Sequence, residues 1–521
     1  MEQHHRGEWG SNLGFLMAAV GSAVGLGNIW GFPYKMGDNG GFAFLIVYLI
    51  LAATVGFSIM LCELAIGRRA GRSVLVSYQQ LGGKMGTFLG FLAMLSPFLI
   101  LSFYTVLGAY CVEYMSLNLA DLAFSVSALA GLSGGDSFEA VRVNQFGAVA
   151  FTFIFIFICF LIIRGGIKDG IEKVNKIGMP ALFIMLLVVI IRAVTLPGAG
   201  EGLAFMFTPN FAPFKENFLK VLSAAGGQMF FSLSLAMGIT VTYGSYLSKK
   251  ESLVKNSLII IVSDTIVAIL AGMAVLPAAF ALGGEGAGKQ GPALLFITLQ
   301  DVFNAMGTAG PLFGVIFYLL VILAAITSSI ALLEVLVTFL SDRIALKGKI
   351  PNRAKLVTIV CVVIFIEAAL VAADGLGSNV DAMGNAMFVP VPFQKMLGIG
   401  PWNDNWLDFM DAFSEGLAMP AGALIMSIMI GWELRTKPIT DEIHHGAEQI
   451  HWLNRFMDIC LKFIVPIAMA FILGGQIGDF FTMDAETQGQ SVYYIGYAIG
   501  AVILLVSWLV AINSPKRKET L

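Results

Sequence analysis

The chain has 521 residues, of which 57% are hydrophobic and 12% charged, with a mean hydropathy of +0.83. This balance argues against a soluble globular domain and for a polytopic membrane protein. A net charge of −3 gives no footing for a nucleic-acid partner. Cys62, Cys111, Cys159, Cys361 and Cys460 fall in or beside apolar segments, with the spacing of neither a disulfide framework nor a zinc site, and read as packing residues.

About 20 apolar residues per helix is the yardstick for a bilayer crossing. It yields about twelve spans: 12–35, 42–68, 88–118, 146–164, 177–196, 217–247, 256–283, 311–343, 355–374, 405–433, 455–476 and 491–512. Met1 to Arg6 lacks the pattern of a cleavable signal, so the first segment is expected to remain as a span. That segment is unusual. It carries Gly21, Gly25, Gly27 and Gly31 together with Asn28 and Pro33. A lipid-facing helix gains nothing from such a set, whereas broken helices are tolerated at membrane depth where their freed backbone groups line a cavity. The segment therefore reads as an unwound helix whose carbonyls and amides bind a solute. A small-residue packing face, Gly21-x-x-x-Gly25, is the competing reading, but it leaves Asn28 and Pro33 unexplained.

Further along, Glu63 lies in the second span. Gln228 to Gly238 interrupts the sixth with Ser232 and Ser234 between Gly226, Gly227 and Gly238. Asp264 lies in the seventh span, and the eighth holds Thr327, Ser328, Ser329 and Glu334. Ionisable residues inside spans are costly and mark a function or a partner. For Glu63 and Glu334 the simpler expectation is pairing with backbone amides of the broken helices. Asp264 has no basic partner nearby in sequence, which favours a functional role. The three hydroxyls have two readings, bonds to their own helix carbonyls or cation ligands facing the first break. His444, Glu448 and His451 would share one face if that segment were helical, but they lack the spacing of a metal motif and are expected on a solvated amphipathic loop.

Basic residues follow every even-numbered span: Arg68 to Lys84, Arg164 to Lys173, Lys249 to Lys255, Arg343 to Lys355, Arg435 and Lys437, and Lys516 to Lys518. The positive-inside rule then puts both termini in the cytoplasm, consistent with a multi-pass protein of the inner (plasma) membrane. The breaks in spans one and six lie five spans apart, so the two units have opposite topology. That is the layout of an inverted repeat with a site at the bilayer midplane. The expected fold is an all-α membrane protein with a five-plus-five inverted repeat and broken helices 1 and 6. Its units are 1–200, 201–435 and, for the last two helices and tail, 436–521. Half-helix termini and bare carbonyls suit a zwitterion and a hard cation. No convincing nucleophile–base set or metal cluster supports an enzyme.

The chain resembles the neurotransmitter:sodium symporter family, in its bacterial amino-acid branch. The resemblance rests on Gly25-Leu-Gly-Asn-Ile-Trp-Gly-Phe-Pro-Tyr34, Asn39-Gly-Gly41, Glu63-Leu-Ala-Ile-Gly67-Arg68, Phe231-Ser-Leu-Ser234, Thr242-Tyr-Gly-Ser-Tyr246 and Thr327-Ser-Ser-Ile-Ala331. It implies sodium-coupled import of a hydrophobic or aromatic amino acid by alternating access. A channel or sensor on the same scaffold is the alternative. The resemblance implies two sodium sites, the first at Ala23, Asn28, Ser232 and Asp264 and the second at Gly21, Val24, Ala324, Thr327 and Ser328. The amino-acid backbone would lie against Ala23, Leu26, Gly27, Phe231 and Ser232, with the Tyr104 hydroxyl at its carboxylate. Its side chain would enter a pocket of Ile100, Phe231, Ser234, Met237, Ser328 and Leu332. Phe296 would plug the outer entrance. Arg6, Trp9, Ser245, Tyr246 and Asp342 would close the cytoplasmic side.

Three departures from the family pattern carry expectations. Gly25 stands where amine transporters carry an aspartate, which favours an amino acid. Gly31 stands where the family has an outer-gate arginine. Lys35, one turn on, is the candidate replacement cation, facing Asp411; a gate of Tyr104, Phe231 and Phe296 is the rival. Asp264 replaces a neutral amide ligand, with Ala268 one turn later, so transport is expected not to require chloride. Proton counter-movement through Asp264 is a secondary expectation.

Overall fold

The computed structural model describes residues 8–124, 128–129, 132–281, 294–377, 406–445, 450–481 and 491–513. The first apolar segment folds as two helices, α1 (Asn12–Ala23) and α2 (Gly27–Asp38), bent 44° from each other. Ser11 caps α1 by accepting from the Gly14 amide. At the other end Val24 turns extended, with φ −76° and ψ 91°. Pro33 lies in the first turn of the resumed α-helix, where a missing N–H costs little.

The remaining long helices are α3 (Phe42–Ala70), α4 (Val74–Phe124), α5 (Gln145–Arg164), α6 (Ile167–Val194), α7 (Ala212–Ser232), followed by the short α8 (Ile239–Gly244), then α9 (Leu253–Ala281), α10 (Gly307–Ala345), α11 (Arg353–Ala373), α12 (Phe409–Glu433), α13 (His451–Gly478) and α14 (Ser491–Asn513). Nine of these are long and apolar enough to cross a membrane, and the bent α1–α2 pair makes ten. The spans expected at 217–247 and 491–512 fall on the broken α7–α8 segment and on α14, whose apolar stretch Gly496–Leu509 is shorter. No strand occurs among the described residues.

One boundary differs markedly from expectation. The third span was expected to start at residue 88, but α4 starts at Val74 and kinks at Gly83, where φ is 57° and ψ −125°. The first two turns fold back onto the rest. A Cβ on Gly86 would stand 1.9 Å from the Tyr78 carbonyl oxygen, and one on Gly90 would stand 2.7 Å from Leu75 Cα. Only glycine allows so close an approach, and the added turns are too polar to register as a span.

Burial separates core from periphery. In the most apolar stretch of α10, 78% of residues are buried, against 33% in α5. On α5, Phe153, Phe157 and Leu161 are exposed at helical spacing, as a lipid-facing stripe would be. The broken segments lie inside: α1 packs against α10, α6 and α9, and α7 against α3 and α13. The five cysteines are buried free thiols.

Candidate functional site

The second break is a tight reversal. After α7 the chain leaves helical geometry at residues 233–238 and restarts at Ile239. Ser234, Ala236 and Gly238 have φ of 54°, 59° and 78°. Left-handed backbone at non-glycine residues costs about 1–3 kcal/mol each and persists only where the surroundings enforce it. Here Glu63 does so. Its Oε1 accepts from the Ala236 amide at 3.1 Å and the Tyr78 hydroxyl at 3.3 Å, and its Oε2 accepts from Thr240 Oγ1. The expected pairing of Glu63 with a broken helix is therefore present. Glu334 differs: it pairs with Arg353 at 2.6 Å and accepts from the Tyr246 hydroxyl at 2.9 Å.

Two polar clusters flank the breaks. In the first, Asp264 is fully buried with Asn28, Ser232 and Tyr48. Asn28 Nδ2 donates to Asp264 Oδ1 at 2.8 Å, and Ser232 Oγ and the Tyr48 hydroxyl donate to Oδ2 at 2.8 and 3.2 Å. Asn28 Oδ1 accepts from the Gly25 amide at 3.1 Å. Among the described residues no lysine or arginine forms an ion pair with Asp264. A buried carboxylate without a counter-charge is costly, and the oxygens that Asp264, Ser232 and the Asn28 amide can offer are hard ligands suited to a hard cation. The donor chemistry thus fits sodium. Tyr48 was not anticipated. Its signal is a tyrosine within a long apolar run, because a buried phenol needs a partner.

In the second cluster, Ser328 Oγ donates to the Ser22 carbonyl at 3.1 Å and lies 3.5 Å from that of Gly21. Thr327 Oγ1 donates to the Ala324 carbonyl at 3.0 Å. Gly21, Val24, Ala324, Thr327 and Ser328 are all buried. The two readings of these hydroxyls merge: Thr327 bonds back into its own helix, while Ser328 reaches across to the first break.

Between the clusters is a cavity of about 20 Å³, room for roughly one water. Ala23, Gly27, Ile100, Tyr104, Phe231, Ser234, Met237, Ser328 and Leu332, all candidate substrate contacts, line it, joined by Ser22, Gly25 and Ile239. Ser232 turns away to Asp264. The Tyr104 hydroxyl accepts from the Leu26 amide at 2.8 Å, occupying the donor that an incoming carboxylate would use. Ser22 was missed; its carbonyl also accepts from Ser234 Oγ at 2.9 Å, tying the two breaks together. A Cβ on Gly25 would stand 2.4 Å from both Ser328 Oγ and Tyr104 Oη.

The flanking layers are partly as expected. On one side the Trp9 indole donates to the Tyr243 carbonyl at 3.2 Å, and its ring packs edge-on against Tyr246. Asp342 accepts from the Ser73 amide at 2.5 Å and lies 3.9 Å from Arg72. Arg6 lies outside the described residues, as does Glu448. On the other side, Tyr104 and Phe231 have ring centroids 6.3 Å apart. Phe296 stacks instead on Phe138 and Tyr318, beside Tyr110 and Tyr114. Tyr110 is six residues beyond Tyr104, about 9 Å along the helix, so Phe296 forms a separate layer farther from the cavity. Lys35 pairs with Glu415, four residues beyond the expected Asp411. Both acids lie on one helical face, and Glu415 is the one over Gly227. Gln228, also unforeseen, donates to the Gly27 carbonyl at 2.7 Å while its Oε1 sits over Gly31.

The chain matches the sodium:neurotransmitter symporter family over residues 6–129 and 136–515. It belongs to that family. YhdH, a sodium-dependent transporter of Bacillus subtilis (strain 168), is 31% identical over 90% of this chain and 98% of its own. The sodium- and chloride-dependent glycine transporter 2 of Xenopus laevis is 23% identical over 94% of this chain and 66% of its own. A crystal structure of MhsT in complex with L-phenylalanine has a TM-score of 0.76 at 34% identity, covering 90% of this chain and 99% of that one. This chain is therefore a multi-pass member of a family of sodium-dependent transporters.

Proposed function

We propose that this protein imports a hydrophobic or aromatic amino acid together with two sodium ions by alternating access. The observation that carries the reading is the buried Asp264 cluster, without a lysine or arginine ion pair among the described residues, set against the first break beside a cavity that both breaks enclose. The amino-acid carboxylate displaces the Tyr104 hydroxyl from the Leu26 amide and completes the first sodium site with Ala23, Asn28, Ser232 and Asp264. Each ligand then raises the affinity of the other, as linkage requires. The second sodium is held by the Gly21, Val24 and Ala324 carbonyls with Thr327 and Ser328. The apolar lining of Ile100, Phe231, Met237 and Leu332 supports an apolar side chain, and the phenylalanine bound to MhsT supports an aromatic one. Met237 is flexible enough to adapt the pocket to its occupant.

Asp264 supplies a fixed negative charge, so chloride is not needed. The two halves of residues 1–435 act as inverted repeats, and both termini face the cytoplasm of the inner membrane. Trp9, Tyr246 and Asp342 then close the inner side. Tyr104 with Phe231, the Lys35–Glu415 pair and Phe296 close the outer side. Accumulation of labelled phenylalanine in sealed proteoliposomes tests the reading. Uptake above the external concentration, driven by an inward sodium gradient, is expected. Binding without accumulation would identify a channel or sensor instead.

A further inference from the structure

A cavity larger than the one at the breaks lies elsewhere. It measures about 250 Å³ between α4, α10 and α11, and its walls are wholly apolar, including Met94, Phe98, Leu336, Leu340, Ile359 and Val363. Leu336 is eight residues beyond Ser328, about 12 Å along α10, so the cavity is distinct from the breaks. It opens sideways, because Ile359 and Val363 are 43% and 44% exposed on a face of α11 that carries further exposed apolar residues, Val362 and Ile366.

Charge is concentrated at one end of this groove. Arg343 lies three residues past Leu340, and Lys355 four residues before Ile359, each one helical turn from the apolar wall. The loop joining α10 to α11 adds Lys347 and Lys349. All four cations are exposed, and among the described residues none forms an ion pair, whereas nearby Arg353 is tied to Glu334. Leu346 and Ile350 in the same loop are 58% and 77% exposed. Bare apolar side chains interleaved with lysines are suited to the boundary between hydrocarbon and headgroups. Basic clusters beside membrane helices attract anionic headgroups.

We propose that this groove is a binding site for one anionic phospholipid, an acyl chain lying between α4, α10 and α11 and the phosphate resting on Arg343, Lys347 and Lys355. The apolar walls recognise the chain, and the cations select the headgroup's charge.

The test uses the purified full-length protein in detergent, titrated with mixed micelles of phosphatidylglycerol or of phosphatidylcholine with the same acyl chains, with binding read by native mass spectrometry. The wild type should bind phosphatidylglycerol at least tenfold more tightly than phosphatidylcholine. The double variant Lys347→Gln/Lys355→Gln should lose that preference, by roughly tenfold or more for two headgroup contacts, while still binding phosphatidylcholine. Val363→Trp, which fills the groove, should weaken both lipids. Glycerophosphoglycerol, which has no acyl chains, should not compete. A sodium-dependent thermal shift equal to that of the wild type identifies variants that remain folded. Equal wild-type affinity for the two lipids, or phosphatidylglycerol binding untouched by both folded variants, would overturn the proposal. Effective competition by the tail-less headgroup would overturn it as well.

Discussion

Replacing Asp264 with asparagine removes one charge and little volume. In the structure the carboxylate is fully buried and receives Asn28, Ser232 and Tyr48. With a cation bound among these groups, two unit charges about 4 Å apart attract by about 4 kcal/mol at an effective dielectric constant of about 20. Removing a buried charge also relieves its desolvation, which offsets part of that loss. If about half survives, the net is about 2 kcal/mol, or roughly thirtyfold in sodium affinity. The assay is sodium-dependent uptake of labelled phenylalanine in proteoliposomes, in chloride and in gluconate. Wild-type uptake should be the same in both anions. Asp264→Asn should need roughly thirtyfold more sodium in gluconate and recover partly in chloride, which can supply the missing charge. Chloride-dependent wild-type uptake that persists unchanged in Asp264→Asn would show that Asp264 does not supply this charge.

The other predictions concern groups that hold the breaks and gates. Lys35→Met and Glu415→Gln, made singly and together, should be non-additive by about 0.5–3 kcal/mol in substrate affinity; additive losses would count against a gating pair. Glu63→Gln replaces an oxygen that accepts with an amide that cannot, leaving a donor of the second break unsatisfied at a cost of about 1–3 kcal/mol. Its thermal midpoint in detergent should fall, and an unchanged midpoint would contradict Glu63 as the anchor of Ala236. Gly25→Asp should abolish phenylalanine binding in a folded protein, since its Cβ alone would meet Ser328 and Tyr104 at 2.4 Å; wild-type binding would show that the cavity is not closed there.

Much of this architecture was legible because broken helices need unusual residues. Glycines with Asn28 and Pro33 betray the first break, and Ser232 and Ser234 between glycines betray the second. Asp264 was legible as an intramembrane charge. What stayed hidden depends on packing across the chain. The left-handed backbone at Ala236 is held by Glu63 from another helix, and an alanine does not signal it. Spacing alone could not choose Glu415 over Asp411, because acids one turn apart share a face. Arg353 as the partner of Glu334 depends on how the loop after α10 returns. Tyr48 carried only a weak signal, a phenol in an apolar run, and its bond to Asp264 requires α3 and α9 to meet.

On this reading the two breaks bind sodium and an amino acid as one unit. Equilibrium binding on the purified protein tests it most directly. Phenylalanine affinity would be measured without sodium and at saturating sodium, and sodium affinity with and without phenylalanine. Each ligand should tighten the other by the same factor, roughly 5- to 150-fold. Phenylalanine affinity that is indifferent to sodium would contradict it.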